Sequence, residues 1–281
     1  MRSTRPSPSG TTTSTISFGV SGPATGTVLS VIVGRPSCVL PRGDGGNRGR
    51  GWPRRYALRD DGTGVKILAM GDTVEQILHG ANLARYASGV EAVVSCGDLP
   101  FEYLEYVVTF SGAPLYYVRG NHDPEEPKAP EGCVPLDGRV VDIGGVVLAG
   151  LSGSRWYSGG PNQYTERAMR RRGRALSARV ALGRLRGKKA PDVFVTHSPP
   201  LGLGDREDVA HTGFETFLGL IDRHDPPLWL HGHVHLYGPE AWEARETRRG
   251  STRVVNVYGH RILEVPGGVG VDSGPPRRKD E

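Results

Sequence analysis

From residue 65 onward the chain alternates short apolar runs with stretches of helical spacing, whereas the residues before it follow neither period. Apolar runs at 65–70, 90–96, 114–118, 192–196 and 228–230 have the length and β-branched content of buried strands. Runs at 139–142 and 146–151 flank Gly144-Gly145 and predict a hairpin. Two or three further strands are predicted around 241–246, 253–258 and 262–265. Between the strands, Thr73 and Gln76 are spaced as a capping box and predict a helix to about Ala87. Pro100 suits the start of a helix over 101–110, the spacing at 165–185 is helical, and Thr212 with Glu215 opens a helix reaching His224. This alternation is the pattern of an α/β domain spanning 65–266.

Composition changes the picture mainly at the ends. Residues 1–64 are rich in Ser, Thr, Gly, Pro and Arg, and such a composition does not repay its ordering entropy by apolar burial. The stretch reads as disordered. Its lack of acidic residues up to Arg42 also suits a transit peptide, although Gly and Pro spoil the amphipathic helix such peptides use. A start of the true polypeptide near Val65 is a third reading. Residues 267–281 read as a polar tail. The net charge of +5 is concentrated at the front: residues 1–64 hold nine Arg against three Asp, which leaves the remainder near −1. A basic-partner argument therefore has to be local. Cys38, Cys96 and Cys133 form no CxxC pair and give no disulfide framework, which favours a reducing, cytoplasmic setting. No apolar run approaches the length of a membrane span, so no membrane partner is expected.

The chemistry lies in the polar clusters at the strand ends: Gly71-Asp72, Gly97-Asp98, Arg119-Gly120-Asn121-His122-Asp123, His197 and Gly232-His233-Val234-His235. Open α/β sheets bind ligands beyond the carboxyl ends of their strands, so these clusters are expected at one edge. Hard oxygen and imidazole donors without thiolate suit Mn, Fe or Zn. In an extended segment His231, His233 and His235 share one face, so His233 and His235 are expected to point at one centre. His231 is read as a buried, hydrogen-bonded strand residue. No P-loop, serine-hydrolase elbow or dinucleotide fingerprint is present.

In order and type these segments resemble the calcineurin-like metallophosphoesterase superfamily, over about residues 65–265. A finer likeness, over Asp98 to Tyr106, Gly159 to Glu166 and His197 to His235, is to a bacterial branch lacking the first-motif His. The resemblance implies a four-layer sandwich of two mixed β-sheets flanked by helices. It implies a metal-dependent phosphoesterase, acting on a phosphomonoester or phosphodiester through hydroxide activated by two divalent ions (Mn, Fe, Zn or Mg). Asp98 would bridge the ions, with Asn121, His197 and His233 completing one position and Asp72 and His235 serving the other. His122 would protonate the leaving alkoxide or stabilise the equatorial oxygens, and Asp123 would orient its ring.

One departure from the family pattern matters. The usual first motif is D-x-H, but Asp72-Thr73 is followed by Val74, which has no ligand atom. One position is thereby expected to be weak or water-rich, filled out by Glu75, a Thr73 oxygen or water, and more tolerant of Mn or Mg than of Zn. Val74 also supports an alternative reading, a catalytically weak or inactive binding protein on the phosphoesterase fold. Arg119, Arg155, Tyr157, Asn162 and His211 are candidate substrate contacts. The expected partner is a phosphate-ester small molecule or nucleotide. The Arg-rich run from Arg167 to Lys189 is read as a solvated helix face rather than a nucleic-acid grip, because the run itself has no aromatic residue. Oligomeric state is left open.

Overall fold

The computed structural model describes residues 64–80 and 82–266; the expectations for the N-terminal extension and the polar tail lie outside the described residues. One sheet contains β1 (Val65–Gly71), β2 (Ala92–Ser95), β3 (Leu115–Tyr117), β4 (Cys133–Pro135) and β13 (Gly259–Val265), in the order β13-β1-β2-β3-β4. Strands β1 to β4 run parallel, while β13 pairs antiparallel with β1, setting Gly259 opposite Gly71. The second sheet contains β5 (Val140–Asp142), β6 (Val147–Leu151), β9 (Val193–Thr196), β10 (Leu228–His231), β11 (Glu246–Arg249) and β12 (Thr252–Asn256), ordered β11-β12-β10-β9-β6-β5. Its inner strands β12, β10, β9 and β6 are parallel, and β5 and β11 close the edges antiparallel.

The period of two in each strand sorts its side chains into layers. Ile67 and Ala69 meet Val193, Val195 and Leu230 between the sheets, whereas Leu68 and Met70 face the other way, toward Leu104 and Val107 of α2 (Phe101–Ser111). In the second sheet Phe194 and Trp229 face outward onto Leu176 of α3 (Glu166–Leu185) and Phe217 and Leu220 of α4 (Glu215–His224). Helix, sheet, sheet and helix thus stack as four layers, as the sequence resemblance implied. A short parallel pair, β7 (Ser154–Arg155) and β8 (Gln163–Tyr164), leads into α3, whose N-cap Thr165 accepts from the Ala168 N–H. Among the described residues no helix is long and apolar enough to cross a membrane.

Three local expectations are corrected. The helix predicted from Thr73 to Ala87 is replaced by an irregular segment, a 3₁₀ turn at Gln76–Leu78 and the short α1 (Asn82–Tyr86). Asp72 at φ 67° and Gly80 at φ 72° put left-handed turns on either side of this segment, and the extended residue that opens the 3₁₀ turn is Glu75 in place of Thr73. Thr212 does not cap α4: its hydroxyl donates to Asp208 O, and the orphan Glu215 and Thr216 N–H groups are taken by Glu166 at 3.2 and 2.8 Å. The strand expected at 241–246 is α5 (Gly238–Glu243), with proline in its first turn, followed by β11.

Candidate metal centre

Both sheets deliver their polar loops to one place. The turns after β1, β2 and β3 carry Asp72, Asp98 and Asn121, and those after β9 and β10 carry His197 and His233. Asp72, Asp98 and His233 all have positive φ, at 67°, 55° and 67°. Such backbone conformations are costly outside glycine and persist where the surroundings impose them, commonly at functional sites. β10 ends at His231, and the left-handed turn at His233 cancels the period-two alignment expected of His233 and His235. His231 itself is buried, with Nδ1 at 3.0 Å from Gly232 O.

Among the described residues, one set of three potential ligands closes to within 4.8 Å: Asp98, His197 and His233. His197 Nε2 lies 3.3 Å from Asp98 Oδ2, 3.0 Å from His233 Nδ1 and 3.0 Å from Asn121 Oδ1. The opposite ring nitrogens explain what this means. His197 Nδ1 is 2.8 Å from Cys96 O and His233 Nε2 is 2.7 Å from Ala210 O, and a carbonyl oxygen only accepts, so both of these nitrogens carry the proton. When both rings are neutral, they turn lone pairs toward each other and toward two oxygen acceptors. Four converging lone pairs fit a positive charge between them, and carbonyl-oriented imidazoles are the usual support of metal-ligating His. Asn121 is turned the right way by its Nδ2, which donates to Tyr157 Oη at 3.0 Å.

The electrostatics agree. Full burial pulls His197 toward the neutral form, but the Asp98 carboxylate outweighs it and raises the imidazole to about 9. Burial likewise pushes Asp98 up, yet His197 and the His122 N–H bring it down to about 2. Burial lowers His233 to about 3, keeping it neutral and able to ligate. Without a cation a proton on His197 thus supplies the missing charge, and cation uptake must displace it. Apparent affinity for Mn or Zn is expected to rise up to about tenfold per pH unit from pH 7 and to level off near 9. Titration calorimetry in buffers of different ionisation heat reads the released proton directly; a flat affinity over that range would exclude this assignment.

Two glycines of the motifs are dictated by this packing. A Cβ on Gly120 would overlap Asp98 Oδ1 and come within 2.6 Å of His197 Cε1, while Gly97, at φ 95°, has Gly120 N where a Cβ would stand.

The other sequence candidates separate clearly. Asp72 Oδ1 accepts from the His233 N–H at 2.7 Å, whereas its Oδ2 is shut off from solvent without a hydrogen-bond partner, and burial raises the carboxyl to about 7. His235 lies outside the closed set, with Nδ1 3.0 Å from Tyr237 Oη and its ring 4.9 Å from that of Tyr258. Glu75 lies 3.8 Å from His260 instead of joining the cluster, and Val74 packs against the helix-side core. Asp123 does not orient His122: its Oδ2 accepts from Gly120 N at 2.7 Å and Asp98 N at 2.9 Å, bracing the turn itself. His122 is exposed, and its N–H donates to Asp98 Oδ1 at 2.8 Å.

Arg119 is unavailable as a phosphate contact, since its guanidinium donates to Pro124 O and Lys128 O beneath the loop. Arg155 is held by Gly213 O and Glu166. Asn162 donates to Gly120 O and Asp123 O, both at 3.0 Å, so it clamps the motif turn. His211 does reach the centre: its ring is 5.0 Å from that of His233, and Nδ1 is bound to Asp208 at 2.8 Å. Sequence reasoning misses the carbonyls of Cys96 and Ala210, because a backbone acceptor carries no residue signal. Gln163, which the sequence places in the aromatic and amide loop from Arg155 to Tyr164, is buried and accepts from the Tyr157, Ser158 and Gly159 N–H groups, holding that loop together.

No curated protein sequence matches the chain. A crystal structure 16% identical superposes with a TM-score of 0.50, covering 72% of this chain and 95% of its own. TT1561 of Thermus thermophilus is 18% identical, with a TM-score of 0.46 over 72% of this chain and 100% of its own. Wild-type Vps29 of Entamoeba histolytica, solved with zinc, is 14% identical, with a TM-score of 0.35 over 69% and 74%. The model of the calcineurin-like phosphoesterase family matches residues 58–237, and the chain belongs to that family.

Proposed function

We propose that the protein holds one divalent cation on Asp98, Asn121, His197 and His233 and presents it to the phosphate of an ester, with weak hydrolytic turnover. The observation that supports this most is the convergence of two imidazole lone pairs, fixed by backbone carbonyls, on the Asp98 carboxylate and the Asn121 carbonyl. A divalent cation there supplies Lewis-acid charge to phosphoryl oxygens and acidifies water. The chain's own residues do the positioning. Asp123 and Asn162 brace the Gly120-Asn121-His122 turn, Tyr157 aims Asn121, and the exposed His122 ring stands free to give a proton to the leaving oxygen. Weak turnover follows from the other half of the centre, where the first motif offers Val74, packed against the helix-side core, instead of a His, and Asp72 and His235 stay outside the closed set.

A second reading, an efficient two-metal hydrolase, draws on one observation. Asp72 Oδ2 is buried without a partner, and it stands where a Cβ on Gly232 would fall, beside the His233 turn. Hydrolysis of bis-p-nitrophenyl phosphate and p-nitrophenyl phosphate with Mn, Zn or Mg separates the two. Slow turnover that disappears in Asp98→Ala and His122→Ala is expected. Fast turnover requiring two bound ions would select the second reading, and failure to take up any cation would overturn both.

A further inference from the structure

We propose that the aromatic residues next to the His233 turn form a platform for a planar ring carried by the phosphate ester, which makes the substrate class a phosphate ester with an aromatic group. That the ring comes with a phosphate rests on the function proposed above; the platform's affinity for a ring does not. The platform grows out of the metal centre. His235 follows His233 by two residues, and its ring lies 6.0 Å from that of Tyr237 and 4.9 Å from that of Tyr258. Tyr237 and Tyr258 are 6.3 Å apart, and Trp242 of α5 stands 6.2 Å from Tyr258. Four rings therefore run in unbroken contact from the turn that carries His233. Tyr258 also returns to the centre through its main chain, which bridges to Gly71, the residue before Asp72. The rings thus lie on the Asp72 and His235 half, where Val74 replaces the first-motif His.

This cluster is open to solvent. Tyr237 is 68% and Trp242 40% exposed, and His235 and Tyr258 are partly so. Scattered exposed apolar residues are ordinary, but a contiguous exposed aromatic group beside a concentration of ligands marks a binding surface. Hydrogen bonds from behind hold it in place. Buried Asn256 donates to Val234 O at 2.7 Å and accepts from Tyr258 N–H at 2.8 Å, which ties Tyr258 to the His233 turn. The Arg245 guanidinium donates to Asn256 O at 3.0 Å and Tyr258 O at 3.3 Å, and lies 4.6 Å over the Trp242 ring. Tyr237 and Trp242 are inclined to Tyr258 by 62° and 59°. A planar ligand stacked on one of these rings meets its neighbour edge-on, and both contacts are favourable aromatic geometries.

The test is calorimetric titration of the Mn-loaded full chain with AMP, phenyl phosphate and ribose 5-phosphate, monoesters that differ in the ring they carry. AMP or phenyl phosphate is expected to bind at least about tenfold more tightly than ribose 5-phosphate. A lead for AMP identifies a nucleobase as the ring, and a lead for phenyl phosphate a simple aryl group. Tyr237→Ala and Trp242→Ala, both at exposed positions, should each weaken the tighter ligand about tenfold while ribose 5-phosphate affinity and cation uptake stay as in the wild type. Equal affinities for the three monoesters, or variants that weaken all three alike, would overturn the platform. The phosphate-free adenosine and phenol keep the two ideas apart. Binding of either one in chelator, weakened by Tyr237→Ala, leaves the platform standing even in a chain that takes up no cation. A chain that takes up Mn but binds the three monoesters alike keeps the metal function and loses the platform.

Discussion

Replacing His197 by alanine is expected to lower affinity for Mn or Zn by more than about 100-fold, a larger effect than removing any supporting residue. The reason is where the side chain sits. Fully buried, it contributes the nitrogen within 3.3 Å of Asp98, Asn121 and His233 at once. Its loss also leaves the Asp98 carboxylate without its main counter-charge in a desolvated place, so that carboxyl should rise well above its value of about 2 and compete for a proton. His233, whose tautomer is set independently by Ala210 O, should keep its orientation. Circular dichroism checks that the fold survives, and calorimetry with Mn and Zn reads the affinity. An alanine variant that binds as tightly as the wild type would remove the cluster from consideration.

The largest effect on stability is expected for Trp229→Ala, at about 3–5 kcal/mol. Trp229 is completely buried on the helix-facing side of β10, stacked on Phe194 at 5.0 Å and tilted against Phe217 at 5.3 Å. Its indole N–H donates to Thr196 Oγ1 at 2.9 Å, so truncation leaves a large cavity and removes that donor together. In a domain of this size the melting temperature should fall by roughly 10 °C. Thr196 directly precedes His197, and β10 feeds the His233 turn, yet both ligands depend on carbonyls elsewhere. Cation uptake well below the melting point should therefore be kept. A loss under about 1 kcal/mol in urea denaturation would mean that the helix-side layer packs differently.

Most of the fold is legible in the chain because strand burial writes a period of two into it. Ile67 and Leu68, or Val193 and Phe194, go to opposite layers, and that alternation with helical stretches specifies stacked sheets and helices. The helix beginning after Thr165 is legible for an equally local reason, its cap. Where a local signal misleads, a tertiary partner has outbid it. Thr73 and Gln76 have capping-box spacing, but Asp72 is held at positive φ to reach the His233 N–H. Thr212 and Glu215 have it too, but Glu166 arrives from another helix to take the free N–H groups.

The site divides in the same way. The order of motifs identifies Asp98, Asn121, His197 and His233 as one group, because strand ends bring them together whatever the loops do. Strand parity assigns His235 to the same centre, but the turn at His233 breaks that parity. Arg119 looks like a phosphate contact from its position before Gly120, but carbonyl acceptors on Pro124 and Lys128 claim its charge. The groups that set the imidazole tautomers, Cys96 O and Ala210 O, are main-chain atoms, on which a sequence is silent.

Everything proposed for the metal centre turns on one cation held by Asp98, Asn121, His197 and His233, beside a second position where Val74 stands in place of the first-motif His. The direct measurement is the number of cations per chain, by elemental analysis of protein equilibrated with Mn or Zn and freed of loosely held ions by gel filtration. One per wild-type chain and none in His197→Ala is the expected result. Two tightly held ions per wild-type chain would contradict it.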